Sequence, residues 1–310
     1  MTTQSKIYVA GHKGLVGSSL VRALRARGFS NLVQKTREGL NLLKQAQVNA
    51  FFRKEKPEYV FLAAAKVGGI LANKTYPAEF IYENLTVQTN VIEAAYRNRV
   101  KKLLFLGSSC IYPRMAVQPM KEKYLLSGAL EPTNRAYATA KIAGIITCQA
   151  YAEEYGANFI SIMPTNLYGP HDNFDTENSH AFPALIRKFY EAKRDKKEEV
   201  VLWGTGAPLR EFLHVDDLAS ACIFLMQKYD NSEIINVGTG EDISIKALAE
   251  LIKKITGFRG AIAWDTSKPD GMPRKLLDVG KIHSLGWRHK ISLTEGIKRT
   301  YRWYSKYNQT

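Results

Sequence analysis

Cysteine is scarce in this chain: Cys110, Cys148 and Cys222 are the three in 310 residues, and no two form a C-x-x-C pair. An odd, scattered set excludes a disulfide framework and a zinc ribbon, and favours a reducing compartment. Acidic residues are also short, 29 against 44 lysines and arginines, for a formal charge of +15. That surplus would suit nucleic acid, an anionic surface or an anionic small molecule. The basic residues are dispersed, however, and the densest run, "KRDKKEE", is followed at once by acids, as at a solvated helix end. The excess therefore fits a phosphate-bearing ligand better than a nucleic-acid patch.

Long apolar runs are missing too. The greasiest stretch, "YVFLAAAKVGGILA", is interrupted by Lys66 and falls short of a bilayer span. The opening "MTTQSKIYVAG" runs almost directly into a strand-like segment, leaving no room for the apolar core of a signal peptide. A soluble, cytoplasmic protein is expected. Neither an internal repeat nor a low-complexity linker divides the chain. At this length roughly three quarters of the unfolded chain's surface can be buried.

What is present is alternation. "KIYVA", "NLVQK", "EYVFLAA", "KLLFL" and "NFISIMP" are strand-like, and helical segments such as "VGSSLVRALRARG" and "AYATAKIAGIITCQAYAEEYG" separate them. Strand and helix in turn imply right-handed crossovers and a parallel sheet covered on both faces. The expected fold class is α/β, a doubly wound Rossmann-type sheet, with a smaller C-terminal substrate-binding lobe. Residues 1–165 form the nucleotide-binding domain, with later segments returning to it, and 166–310 mainly the lobe.

"VAGHKGLVGSSL" sets Gly11, Gly14 and Gly17 between the first strand and the first helix. The first glycine permits a tight turn, the second close approach to a pyrophosphate, and the third tight helix–strand packing, with the helix N-terminus facing the phosphates. The second strand ends in "VQKTRE". Gln34 cannot be the carboxylate that pairs with ribose hydroxyls in NAD sites, whereas Lys13, Lys35 and Arg37 can gather around a 2′-phosphate. NADPH is expected, although a small loop shift would make Glu38 a ribose ligand.

Tyr137 and Lys141 in "AYATAK" lie four apart, on one face of a helix. An ammonium beside a phenol lowers the phenol's pKa and lets it exchange a proton with a carbonyl near neutral pH. This spacing recurs by chance; its weight comes from following the fourth strand, whose end carries Ser108. "GSSCIYP" then adds Cys110, a thiol able to act as a base if its neighbours lower its pKa. Cys148 and Cys222 sit in apolar helical patterns and are expected in the core. His214 in "REFLHVDD" is assigned to structure, with Asp216 and Asp217 opening a helix. "PHDNFDTENSH" lacks metal-ligand spacing and reads as a substrate-covering loop, so no metal is expected.

Together "GHKGLVG", "AAAKVGG", "GSSCIYP", "YATAK" and "MPTNLYGP" resemble the extended short-chain dehydrogenase/reductase family. With "PTNLYGPHDNF", "NSHAFPALIRK", "REFLHVDD", "NVGTG" and "SKPDGMPRKLLDV", nearly the whole chain resembles its GDP-L-fucose synthase branch. The resemblance implies an NADPH-dependent enzyme, a homodimer, that epimerises C3 and C5 of GDP-4-keto-6-deoxy-D-mannose and reduces C4 to give GDP-L-fucose. It assigns Cys110 as base and His180 as the acid opposite, with Ser108, Tyr137 and Lys141 serving the reduction. The cofactor positions it implies are Gly11 to Gly17 with His12, Lys13, Leu15 and Val16, then Arg37, Leu106, Gly107, Ser109 and Lys141. Pro164, Thr165, Asn166, Leu167 and His180 complete that set. For the GDP-sugar it implies Lys188, Trp203, Arg210, Asp270 and Lys275, and the long helices around 77–99 and 136–155 for the dimer.

Two other functions remain open on the residues. An NAD-dependent nucleotide-sugar 4-epimerase would keep Ser108, Tyr137 and Lys141 but would not need Cys110 and His180. A dinucleotide-sensing binding protein would not need the Ser, Tyr, Lys set at all.

Overall fold

β1 (Ile7–Ala10) is buried throughout and delivers the glycine loop to α1 (Leu15–Ala26). The computed structural model describes residues 1–175, 179–268 and 270–307. After α1 come β2 (Leu32–Val33), α2 (Gln45–Glu55), β3 (Tyr59–Leu62), the short α3 (Ile70–Thr75) and α4 (Pro77–Arg97). Next are β4 (Lys102–Leu106), α5 (Arg135–Tyr155) and β5 (Phe159–Pro164). Every residue of β4 and β5 is buried, as expected of parallel strands covered on both faces.

The remainder runs β6 (Asn166–Tyr168), α6 (Ala181–Arg194), β7 (Glu199–Trp203), β8 (Leu209–His214) and α7 (Val215–Lys228). β9 (Ile235–Val237), β10 (Asp242–Ser244), α8 (Ile245–Thr256), β11 (Ala261–Asp265), β12 (Arg274–Lys275), α9 (Gly280–Ser284) and α10 (Leu293–Tyr307) follow. The main sheet has the order β2-β1-β3-β4-β5-β9, parallel throughout. Its fold class is the doubly wound one expected. The order reverses at β1, and in such sheets the crevice beyond the strand ends at that point is the ligand site.

Two smaller sheets lie outside it. β8 pairs with β10 antiparallel and with both β12 and β6 in parallel, while β7 pairs with β11. The apolar interior falls into two clusters. One is built on the main sheet and takes in Cys148, Cys222, Leu277 and Ile282. The other joins Phe182, Ile186, Phe189, Leu202, Leu248, Ile252, Ile297 and Tyr304. β9 and α7, late in sequence, belong to the first. Among the described residues no helix is long and apolar enough to cross a membrane.

Candidate active site

The glycine loop closes on itself through Gly14 N–H donating to the Gly11 carbonyl at 3.0 Å. Gly11 has φ +82°, and a Cβ there would lie 2.8 Å from the Ala64 nitrogen; one on Gly17 would lie 2.1 Å from the Gly11 oxygen. Gly14 differs, because a Cβ there would meet little but the Gly11 oxygen at 3.6 Å. No side chain caps α1 and no acid sits in its first turn, so the end of the helix stays open to an anion. His12 packs near the Lys35 backbone with Nδ1 buried and unpartnered, while Lys13, Lys35 and Arg37 are exposed around it. A tight turn, an open approach, an orphan imidazole nitrogen and exposed cations together fit the phosphates of a dinucleotide.

At the end of β4, Ser109 is 3% exposed and Leu106 is buried, so ligand contact there falls mainly to backbone. Thr165 and Asn166 are fixed from β8: Thr165 Oγ1 and Asn166 Nδ2 both donate to the Glu211 carbonyl, at 3.3 and 2.7 Å. Lys141, 3% exposed, donates to the Leu106 carbonyl at 2.7 Å, and its Nζ lies 4.8 Å from the Phe105 ring centroid and 5.8 Å from that of Tyr137. Burial pushes the Lys141 pKa down to about 7.

Tyr137 corrects one expectation. Its pKa is raised, chiefly by burial and then by Cys110, with a Ser108 hydrogen bond opposing. Lys141 points its ammonium at a carbonyl, so it does not pull the phenol down as the sequence suggested. A phenol held protonated is the form that gives a proton to a carbonyl oxygen.

Cys110 is partly open to solvent. Burial alone would raise its pKa, but the Lys275 ammonium and hydrogen bonds from Ser108, Lys275 and Asn134 outweigh it and hold the thiol below its usual range. Lys275 Nζ lies 3.3 Å from Sγ, and Cys110 N–H donates to Ser108 Oγ at 3.2 Å. His180 occupies the N-cap position of α6, yet its side chain caps nothing. The residue as a whole is exposed, while burial of the imidazole followed by Lys275 holds its pKa down. Cys110 and His180 thus share Lys275 as a neighbour, and Ser108 and Tyr137 adjoin Cys110.

The outer residues gather as two linked pairs. Lys188 donates to the Val201 carbonyl at 2.9 Å, and its Nζ lies 5.9 Å from the ring centroid of Trp203, a residue 55% exposed. Asp270 accepts from Thr205 N–H and Oγ1, both at 2.7 Å, and Arg210 is opposite Lys275 across the β8–β12 pair. Burial lowers the Arg210 pKa and Asp270 opposes that. Part of the expected covering loop, residues 176–178, lies outside the described residues.

A profile of the NAD dependent epimerase/dehydratase family matches residues 7–238. The chain belongs to that family. Within it, "GDP-L-fucose synthase 1" of Arabidopsis thaliana is 62% identical over 302 residues, covering 97% of this chain and 94% of the relative. A C. jejuni structure described as a GDP-6-OMe-4-keto-L-xylo-heptose reductase superposes with TM-score 0.95 at 46% identity, covering 99% of each chain. A Naegleria fowleri GDP-L-fucose synthetase bound to NADP superposes with TM-score 0.92 at 29% identity, covering 100% of this chain and 97% of that one. The family's cofactor is a nicotinamide dinucleotide.

Two residues of this epimerase/dehydratase site escaped sequence reasoning. Asn134, just ahead of α5, hydrogen-bonds the thiol and keeps Oδ1 buried without a partner. Glu211, wholly buried, accepts from the N–H groups of Thr239, Gly240 and Leu277 at 2.6, 2.8 and 3.0 Å, tying β8 to the segment after β12. The one signal for Glu211 was an acid directly before the apolar pair "FL" of "REFLHV".

Proposed function

We propose that this protein is an NADPH-dependent 3,5-epimerase and 4-reductase of GDP-4-keto-6-deoxy-D-mannose, yielding GDP-L-fucose. The observation that supports this reading is a partly exposed Cys110 whose sulfur lies 3.3 Å from the Lys275 ammonium, a cation that also acts on His180, with Ser108 and Tyr137 beside the thiol. An enzyme that only oxidises and reduces C4 has no use for the thiol and imidazole. The named relatives support the same substrate class.

Protons at C3 and C5 are acidic because the C4 ketone accepts the electron pair as an enolate. Cys110 removes such a proton from one face. Ser108 and Tyr137 donate hydrogen bonds to the C4 oxygen while it carries charge. His180, made a stronger acid by burial and Lys275, returns a proton to the other face, inverting the centre. NADPH, when bound, supplies the hydride for reduction at C4, and Tyr137 gives the C4 oxygen its proton. Lys141, held at the Leu106 carbonyl with its ammonium beside the Tyr137 ring, would hold the nicotinamide ribose.

Gly11 to Gly17, with His12, Lys13, Leu15 and Val16, would hold the pyrophosphate. Lys13, Lys35 and Arg37 would take the 2′-phosphate, the basis for preferring NADPH to NADH. Leu106, Gly107, Ser109 and Pro164 to Leu167 would line the nicotinamide half, with His180 at its edge. Lys188, Trp203, Arg210, Asp270 and Lys275 would receive the GDP-sugar, within the lobe formed mainly by 166–310. Lys188 meets phosphate as a point charge, without the fork that arginine offers. The three free cysteines suit a cytoplasmic setting, and the outer face of α4 and α5 suits a second copy.

Incubation with GDP-4-keto-6-deoxy-D-mannose and NADPH, followed by NMR of the sugar, tests the reading. GDP-L-fucose is expected with stoichiometric NADPH oxidation. A reduced product with C3 and C5 unchanged would leave only a reductase, and turnover without net oxidation would favour the 4-epimerase.

A further inference from the structure

The Lys275 side chain ends against the sulfur of Cys110, 165 positions earlier in the chain, with Nζ 3.3 Å from Sγ. Its backbone is fixed from several sides. Lys275 is in register with Arg210 across β8 and β12, Leu276 N–H donates to Gln118 Oε1 at 2.9 Å, and Leu277 N–H donates to Glu211 at 3.0 Å. Met120 N–H closes the other edge on the Leu276 carbonyl at 2.8 Å. Among the described residues no carboxylate pairs with the Lys275 ammonium. Its ammonium donates instead to the thiol.

We propose that Lys275 is a positioning residue for the epimerisation half of the reaction, its ammonium donating to Cys110 Sγ so that the base rests as an aimed thiolate. The proposal rests on the function given above for the same cleft. It differs from a diphosphate-binding role, because the charge acts on the protein's own base.

The charged and titratable groups around the thiol come from four elements. Lys275 from β12 touches sulfur. Tyr137 from α5 lies close enough to feel its charge, with Lys141 beyond the tyrosine ring, while Ser108 and Asn134 contribute uncharged hydrogen bonds. His180 from α6 feels Lys275 rather than a carboxylate. Arg210 of β8 stands beside Lys275, with Asp270 acting on Arg210. One cation therefore serves two partners. It stabilises the anionic form of the base and disfavours the cationic form of the acid, so losing it moves both titrations upward. The thiol, in direct contact, moves further than the imidazole. A lysine with only a packing role would slow the enzyme and leave both titrations in place.

The test uses full-length Lys275→Met, Lys275→Gln and Lys275→Arg, with NADPH binding and thermal melting to confirm folding. Iodoacetamide alkylation of Cys110, followed by mass spectrometry across pH, requires no substrate. Loss of the charge should slow alkylation at pH 7 by about tenfold and move its midpoint upward, while arginine restores most of the reactivity. Deuterium uptake at C3 and C5 should show both limbs of its pH profile displaced upward, the acid limb more. Identical alkylation profiles for wild type and a folded Met or Gln variant would overturn the proposal. If the wild-type protein instead fails to exchange or reduce the 4-keto sugar, the functional reading falls, and the alkylation result still judges Lys275.

Discussion

Lys141 is a cation in a place that does not welcome one. It is buried beside Phe105, with a single carbonyl at hydrogen-bond distance and a pKa pushed down to about 7. The unfolded chain holds its proton up to the ordinary lysine range, near 10.4. Between about 7 and that range the unfolded state therefore binds more protons, and this residue's contribution to stability rises with pH. Lys141→Met should melt above wild type at pH 7, and the gap should narrow as pH rises toward 10, while activity is lost. A gap that widens with pH would contradict the burial argument. Cys110 and Tyr137 divide the chemistry differently. Cys110→Ser should slow solvent deuterium uptake at C3 and C5 by a hundredfold or more, roughly the weight of one acid–base group. Tyr137→Phe should spare much of that exchange and block reduction, as mass spectrometry and NADPH absorbance would show. At this scale the sequence was legible where chemistry clusters in short blocks: "GSSCIYP" and "AYATAK" pointed at the thiol and the phenol. The Cys110–Lys275 contact was not legible, since nothing local to either residue indicates the other. The direction of the Tyr137 shift was misread because spacing shows which residues share a helix face, and burial decides what their charges do there.

Among the elements, the loop between β1 and α1 depends on missing side chains. A Cβ on Gly17 would sit 2.1 Å from the Gly11 oxygen and 2.7 Å from the His12 Cα, both backbone atoms that cannot swing aside. Gly17→Ala should destabilise the protein by about 1–3 kcal/mol, the usual cost of an overpacked contact. It should weaken NADPH binding disproportionately, because relief of the clash requires moving the turn that faces the phosphates. Calorimetry and fluorescence titration of NADPH would measure the two effects. Unchanged affinity would mean the turn is not part of the cofactor site. The elements of the main sheet up to β5 were readable to within a few residues, since their apolar runs are separated by helices of clear period. The last strand of the main sheet and the small sheets were not. β6, β9, β10 and β12 are two or three residues long, and β8 is recognised as a strand only by pairing with segments more than thirty residues away on either side.

At the scale of the whole molecule, α4 and α5 bear on the proposed pairing of two copies. α5 is apolar on more than one side: Ala138, Ile142, Ile145 and Cys148 face the interior, while Thr139, Ala143, Ile146 and Ala150 recur at helical spacing on an uncharged outer stripe. Ile146 is 43% exposed there, and Tyr82 of α4 is exposed as well. Periodicity alone could not separate sheet-facing from outward positions, because both are uncharged; the packing of α5 against α4 and β5 does so. A helix apolar all round is usually buried all round. Two protomers joined through these helices would bury Ile146 against its own symmetry mate or a near neighbour, as a two-fold interface requires. Ile146→Glu places like charges across such an axis without touching the cleft. Light scattering should then show wild type at twice the chain mass and the variant at once, with each still binding NADPH. A variant that stays dimeric would move the interface elsewhere, and a monomeric wild type would remove it.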